Sequence, residues 1–183
     1  MADRTGAGSF AELIALNAMY RPGLLDFIPE YVARKHGQKL EEGIHPLMQA
    51  CLSETFGMFI YQEQLMTISR RIAGFGRGDS DKLRKVLSKG QGRFAAIFKE
   101  RFIAGCLANP EFRIGEFADE ERAKKCAEAV WKELDIHAPY LFVKSHAVCY
   151  AWVAYQGMYL KAHYPDEFAE AIEMCKTTRP VKK

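Results

Sequence analysis

The sequence predicts an all-α fold, an irregular multi-helix domain with at most one short hairpin. Apolar residues recur at helical spacing along most of the chain, as in Leu65, Ile68 and Ile72, or Ala123, Cys126, Ala127, Val130 and Leu134. Residues that start helices and residues that break them alternate between these stretches, from Ser9 and Pro46 to Asp119 and Pro165. Hydrophobic residues make up 49% of the 183, enough to bury a core and too many for a disordered chain.

Ser9 and Glu12 form a capping box ahead of Leu13, Ile14 and Leu16, and Arg21-Pro22-Gly23 stops that helix. Asp26 is the expected cap of a second helix through Tyr31 and Val32, ending at Gly37. Residues 38–45 read as a loop, and Pro46 suits the first turn of a third helix that ends near Gly57. Residues 58–61, Met-Phe-Ile-Tyr, leave room for a brief extended segment. The helix carrying Leu65, Ile68 and Ile72 is interrupted by Gly74, Gly76 and Gly78, after which Asp79 or Ser80 is expected to cap a short basic helix to about Ser88. Phe94, Ile97, Phe98 and Phe102 give an amphipathic helix before Asn109-Pro110. Asp119 opens the next, and residues 136–143 form a loop around Pro139. Ser145 is the expected cap of a long aromatic helix over 146–162, and Pro165 starts a last helix through Met174. The organisation is then a flexible extension over 1–8, one helical domain over 9–176 and a flexible tail over 177–183.

Several function classes are excluded. No apolar run approaches the roughly 18 residues of a membrane span. The first ten residues, MADRTGAGSF, lack the apolar stretch of a secretory signal. Both point to a cytoplasmic chain with no membrane partner. The five cysteines are odd in number and no two are close in sequence, which argues against a disulfide framework or a CxxC zinc site. His146 and Cys149 lie three apart on a predicted helix, but no second ligand pair accompanies them, so no metal ligand is assigned. No serine sits in GxSxG, and no pair of close carboxylates lies on a strand, as two-metal phosphoryl transfer requires; no catalytic residue is assigned.

The net charge of +3 carries little information, but its distribution does. Residues 70–93 hold eight Lys/Arg against two Asp, whereas residues 111–135 hold eight Asp/Glu against five Lys/Arg. In the basic helix Leu83, Val86 and Leu87 share one face, while Lys82, Arg84, Lys85 and Lys89 lie off it, an arrangement suited to a polyphosphate or to plain solvation. The glycines at 74, 76 and 78 precede a helix start, where phosphate can bind. GFGRGDSD lacks P-loop spacing, however, and Asp79 would repel an anion, so a turn with positive φ angles is the better reading. Lys144, Ser145 and His146 gather at a second helix start, as an anion site or as ordinary capping. Tyr150, Trp152, Tyr155 and Tyr159, with Lys161 and His163, suit base stacking, although aromatics at this density more often form core and rim. Tyr61-Gln62-Glu63-Gln64 is a polar helix start, by physics alone only a capped terminus.

The blocks LNAMYRPG at 16–23, RKHG at 34–37, ETFG at 54–57, YQEQLM at 61–66, AGFGRGDSDKLRK at 73–85, FVKSHAVCYAWVAYQ at 142–156 and YLKAHYPDEF at 159–168 occur in that order. In them the chain resembles the fingers region of the C-family polymerases, the alpha subunit of bacterial DNA polymerase III, over residues 10–168. The resemblance implies a parent DNA-directed DNA polymerase whose palm carries aspartates holding two magnesium ions. It implies no cofactor in this segment, and no activity from the segment alone. The fingers would supply cations to the triphosphate of the incoming deoxynucleotide. At matching positions, Arg84 and Lys85 correspond to a basic pair; Lys89, Lys144, Ser145 and His146 match motif positions; Arg21, Tyr61, Gln62 and Glu63 fall in shared motifs. The implied partners are the deoxynucleoside triphosphate, primer-template DNA, the palm and thumb of the parent chain and other replisome subunits. Three departures point to a divergent or specialised member: Val143 where the family has Asn, Ser88-Lys89-Gly90 where it has Gly-Lys-Lys, and Leu24 where it has Pro. The alternative reading is a non-catalytic helical module that binds DNA or docks on a replisome.

Overall fold

The computed structural model describes residues 6–38, 43–90 and 92–178. Among these the architecture is all-α, as expected: α1 (Phe10–Met19), α2 (Ile28–Lys35), α3 (Pro46–Leu52), α4 (Gln62–Ala73), α5 (Arg77–Ser88), α6 (Gly92–Ala108), α7 (Glu120–His137), α8 (Lys144–His163) and α9 (Pro165–Thr178). Short 3₁₀ turns lie at Leu25–Phe27, Ser53–Thr55, Gly115–Ala118 and Ala138–Tyr140. No hairpin forms among the described residues; the one extended pairing is a single parallel bridge between Tyr61 and Phe142.

The helices pack into two apolar clusters. The larger joins α3 to α7 around Leu65, Ile68, Ile72, Leu83, Phe102, Val130 and Leu134. The smaller joins α1, α2 and the start of α8 around Leu16, Met19, Ile28, Tyr31, Ala147 and Ala151. Residues 58–60 run extended between them. Alternate side chains of an extended backbone point to opposite sides, so Phe59 enters the larger cluster while Met58 and Ile60 enter the smaller.

Local chemistry explains most boundaries, and corrects several. Ser9 caps α1 by accepting the Glu12 N–H at 3.2 Å, but Glu12 reaches past the expected partner to the Gly8 N–H at 2.7 Å and pairs with Lys35 at 2.7 Å. Gly6 and Gly8 are thereby fastened, with Lys35 also donating to the Gly6 carbonyl, inside the extension expected to be flexible; residues 1–5 and 179–183 lie outside the described residues. Asp26 caps nothing: a 3₁₀ turn absorbs it, and α2 begins at Ile28 with Phe27 as its N-cap. The predicted 38–45 loop falls partly on residues 39–42, outside the described residues. Neither Asp79 nor Ser80 caps α5, which starts earlier at Arg77 behind Gly76. Of the three glycines there, only Gly74 has positive φ, at 68°, where it ends α4 in the left-handed conformation. Phe94 and Ile97 stand exposed on α6, and only Phe102 and Cys106 of that helix are fully buried. α9 continues through Thr178, past Met174.

His45 is a buried polar residue that periodicity did not reveal. Its Nδ1 accepts the Leu47 N–H at 3.1 Å and so caps α3, which leaves the proton on Nε2, 3.2 Å from the Phe112 carbonyl. The ring stacks on Phe112 at 4.3 Å between centroids. Burial pushes its pKa below the ordinary 6.5, against the opposing bond to Phe112. A proton therefore binds the unfolded chain more readily than the folded one. The stability this residue contributes is complete above about 6.5 and is lost as pH falls below it. Urea unfolding at stepped pH should show that loss, by up to about 1.4 kcal/mol per pH unit. His45→Asn, which can keep the cap, should flatten this part of the profile.

Where α6 crosses the end of α4, a Cβ on Gly105 would lie 2.1 Å from the Ala73 carbonyl oxygen. Asn109 then donates to the Arg71 and Ile72 carbonyls at 2.9 and 2.8 Å, satisfying the last turn of α4. Gly105→Ala should cost about 2–4 kcal/mol in denaturant unfolding, because two helix backbones must separate. Gly157→Ala in α8, with nothing within 4 Å of the added carbon, should instead gain about 0.5–1 kcal/mol.

Candidate nucleotide-facing site

The polar helix start at Tyr61-Gln62-Glu63-Gln64 is the centre of the arrangement. Gln64, buried in the third position of α4, accepts the Ile60 and Tyr61 N–H groups at 2.9 and 2.8 Å and donates to Thr55 Oγ1 at 2.7 Å. This holds residues 58–61 extended and leaves their outer edge free to pair. Phe142 N–H donates to the Ile60 carbonyl, and Gln62 N–H to the Phe142 carbonyl, both at 2.8 Å. The chain entering α8 is thus stitched to the chain entering α4, which brings residues eighty positions apart in sequence into one cluster.

Five of the predicted site residues meet along this stitch. Gln62 donates to the Leu141 carbonyl at 3.3 Å and accepts from Arg84 Nη1 at 2.9 Å. Glu63 places both carboxylate oxygens on the Lys144 backbone N–H, at 3.1 and 3.0 Å. Lys144 Nζ pairs with Glu54 at 2.6 Å and lies 5.3 Å from the centre of the Tyr61 ring. Tyr61 is buried, and desolvation drives its phenol pKa well above the usual range, with Glu54 adding to the rise. Ser145 does not cap α8: the helix begins at Lys144, two residues before the expected 146, Val143 stands at its N-cap without a polar side chain, and Glu63 supplies the anion instead.

The remaining predicted residues flank this cluster. Arg21 closes it from the α1 side, with its guanidinium 4.8 Å from the centre of the Phe142 ring, Nη2 on the Tyr140 carbonyl and Nε on the Ala18 carbonyl. Burial lowers its pKa. Ser145 and His146 are exposed, the His146 ring lying 4.5 Å from Tyr150 and 5.4 Å from Phe142. Arg84 and Lys85 both pair with Asp81, at 2.8 and 2.7 Å, so the basic pair is locally neutralised in part. Lys89 ends α5 as an exposed residue and makes no ion pair among the described residues. Tyr150, Trp152, Tyr155 and Tyr159 are exposed rather than core, although Phe10 packs edge-on against Trp152 and Tyr155.

Among the described residues no group of three or more His, Cys, Asp or Glu could hold a metal ion. The three carboxylates at the cluster, Glu54, Glu63 and Asp81, are committed to the Lys144 ammonium, to a backbone N–H and to two cations. This donor set does not fit magnesium, and no step through a metal is assigned to this chain. No helix of the described residues is long and apolar enough to cross a membrane.

Comparison with known proteins settles the family. The model of the bacterial DNA polymerase III alpha subunit finger domain matches residues 1–110, more than half of the chain. The chain belongs to this finger-domain family. The likeness extends past that span. The DNA polymerase III subunit alpha of Halalkalibacterium halodurans is 40% identical over 174 residues, covering 95% of this chain and 15% of that protein. Those of Aquifex aeolicus and Chlamydia trachomatis are 37% identical over 162 residues and 36% over 167, covering 87% and 91% of this chain. The finger-domain chain thus spans 13–15% of the length of these relatives. Gln64 and His45 act through local capping, Gln64 from the third position of α4 and His45 just before Pro46, and sequence reasoning passed over both although a Gln three residues into a helix is a readable capping signal. The role of Arg21 arises only once residues 140–142 lie beside the end of α1.

Val143→Asn should place an acceptor beside the free N–H groups of α8 and raise stability by about 0.5–1 kcal/mol in thermal unfolding. Glu63→Gln, which removes the internal anion, should lower it by about 1 kcal/mol.

Proposed function

We propose that this chain is the part of a DNA polymerase that positions the incoming deoxynucleoside triphosphate, and the nearby template, for DNA synthesis. One observation supports it most. The basic pair Arg84 and Lys85 stands on a helix anchored by buried Leu83, Val86 and Leu87, and Arg84 is tied through Gln62 to the stitch between α4 and α8. A guanidinium held in this way can meet a phosphate without first losing side-chain freedom. Exposed Lys85 and Lys89 lie on the same helix and at its end, and His146 and Ser145 lie near the start of α8. In this reading, palm carboxylates of a parent polymerase would hold magnesium, which would favour attack of the primer hydroxyl on the α-phosphate with pyrophosphate as the leaving group. The finger domain contributes position and charge at the outer phosphates, and template pairing selects the base.

A second reading rests on a different observation. The exposed aromatic face of α8, with Tyr150, Trp152, Tyr155 and Tyr159, suits an interface with the palm or thumb of a parent chain or with another replisome subunit. The two readings are compatible, since one surface holds a ligand and the other a protein.

The decisive comparison is between Arg84 with Lys85 and Lys124 with Lys125. The latter lie on α7, where Lys125 pairs with Glu121 at 2.7 Å on an open surface. With this segment carried in a full-length alpha subunit, Arg84→Ala/Lys85→Ala should raise the Michaelis constant for a deoxynucleotide several-fold, at about 1.5–3 kcal/mol per partly desolvated charged contact and less where water screens it. Lys124→Ala/Lys125→Ala should leave it unchanged. Equal effects from both pairs, or a loss confined to DNA affinity, would move the reading to a DNA-binding module. The isolated chain should not extend a primer with magnesium and all four deoxynucleotides.

A further inference from the structure

Asp81 occupies an unusual place in this arrangement. It is the third residue before Arg84 and the fourth before Lys85, so helical spacing puts all three on one face of α5. Its Oδ1 accepts from Arg84 Nε at 3.0 Å and from Nη2 at 2.8 Å, and its Oδ2 lies 2.7 Å from Lys85 Nζ. The Nε–Nη2 edge is the fork through which a guanidinium takes two oxygens of a phosphate. The opposite donor, Nη1, is spent on Gln62. The fork and the ammonium beside it are therefore filled by an anion that belongs to the protein.

We propose that Asp81 is an internal competitor for the ligand of the Arg84–Lys85 pair, and that a polyphosphate binding there must first displace its carboxylate. The inference rests on the reading of that pair as a phosphate grip and adds the residue that sets its strength. Displacement is feasible because the Asp81 side chain is about a third exposed, at 35%, and can turn to water, whereas Arg84, at 21%, stays held by Gln62. The carboxylate also remains a competitor at neutral pH, because the bonds from Lys85 and Arg84 hold its pKa below the usual carboxylate range. Asp79, two residues earlier, serves as the internal control. It carries the same charge but pairs with Arg101 at 2.6 Å and with Lys82 at 3.9 Å, away from the fork.

The test uses the 183-residue chain, sodium tripolyphosphate as the probe, no metal, and calorimetric titration at pH 7. Asp81→Asn should tighten binding about three- to ten-fold, on the scale of two partly exposed ion pairs. Asp81→Ser should do the same, which guards against a local disturbance by the amide. Asp79→Asn should gain less than about two-fold, and Asp81→Asn/Arg84→Ala should lose the gain. Unchanged or weaker binding by both Asp81 variants would overturn the proposal, since Asp81 would then orient Arg84 rather than compete for it. An equal gain from Asp79→Asn would also overturn it by reducing the effect to net charge. If Arg84→Ala binds as tightly as the unaltered chain, or no variant binds at all, the phosphate-grip reading itself fails. Weakening by Arg84→Ala with no gain from the Asp81 variants defeats only the competitor.

Discussion

The Gln64 amide is the point at which the two apolar clusters of the domain are tied together. Its carbonyl takes the N–H groups of Ile60 and Tyr61, and its NH₂ goes to Thr55, so an otherwise unpaired buried backbone is satisfied from one side. Each of those N–H groups would cost about 1–3 kcal/mol if left buried without a partner. With them satisfied, residues 58–61 can remain extended inside an all-helical domain and offer their other edge to Phe142. The position of α8, and of every predicted residue at its start, follows from that pairing.

Charge in the domain is arranged by proximity more than by total. The basic stretch keeps Asp79 and Asp81 within its own helix, and each neutralises cations around it. At the start of α8 the anion that a helix N-terminus favours is likewise supplied internally, by Glu63. Arg84, Lys85 and the start of α8 thus have their anionic partners supplied from within the chain. On the proposed reading of Arg84 and Lys85, phosphate binding would be an exchange of one anion for another rather than the filling of empty positive sites. Such an exchange costs affinity, but it avoids leaving clustered cations unpaired in the free protein.

Helix types were legible from apolar spacing because burial on a helix requires one stripe whatever that stripe packs against. Leu65, Ile68 and Ile72, and the stripe from Ala123 to Leu134, are all buried as the periodicity implied. Cap assignments fared less well. Asp26, Asp79, Ser80 and Ser145 are all good capping residues, yet each was passed over because a 3₁₀ turn, a preceding glycine or a distant carboxylate satisfied the helix start first. The aromatics of α8 misled for a related reason. Hydrophobic character announces a surface to be covered but not whether this segment covers it, and here they stand exposed.

The sequence by itself determined the all-α class, the apolar stripes and, through its ordered motifs, membership of the finger-domain family. These depend on local spacing and residue type, which a linear string records in full. Only the tertiary structure decided that Gln62, Glu63, Arg84 and Lys144 meet at one stitch, that Arg21 clamps the segment beside it, and that Asp81 fills the Arg84 fork. Those contacts join residues up to 119 positions apart. Whether a charged side chain faces a ligand, water or another charge depends on partners that local pattern does not encode, because electrostatic and hydrogen-bond pairing acts through space over a few ångströms.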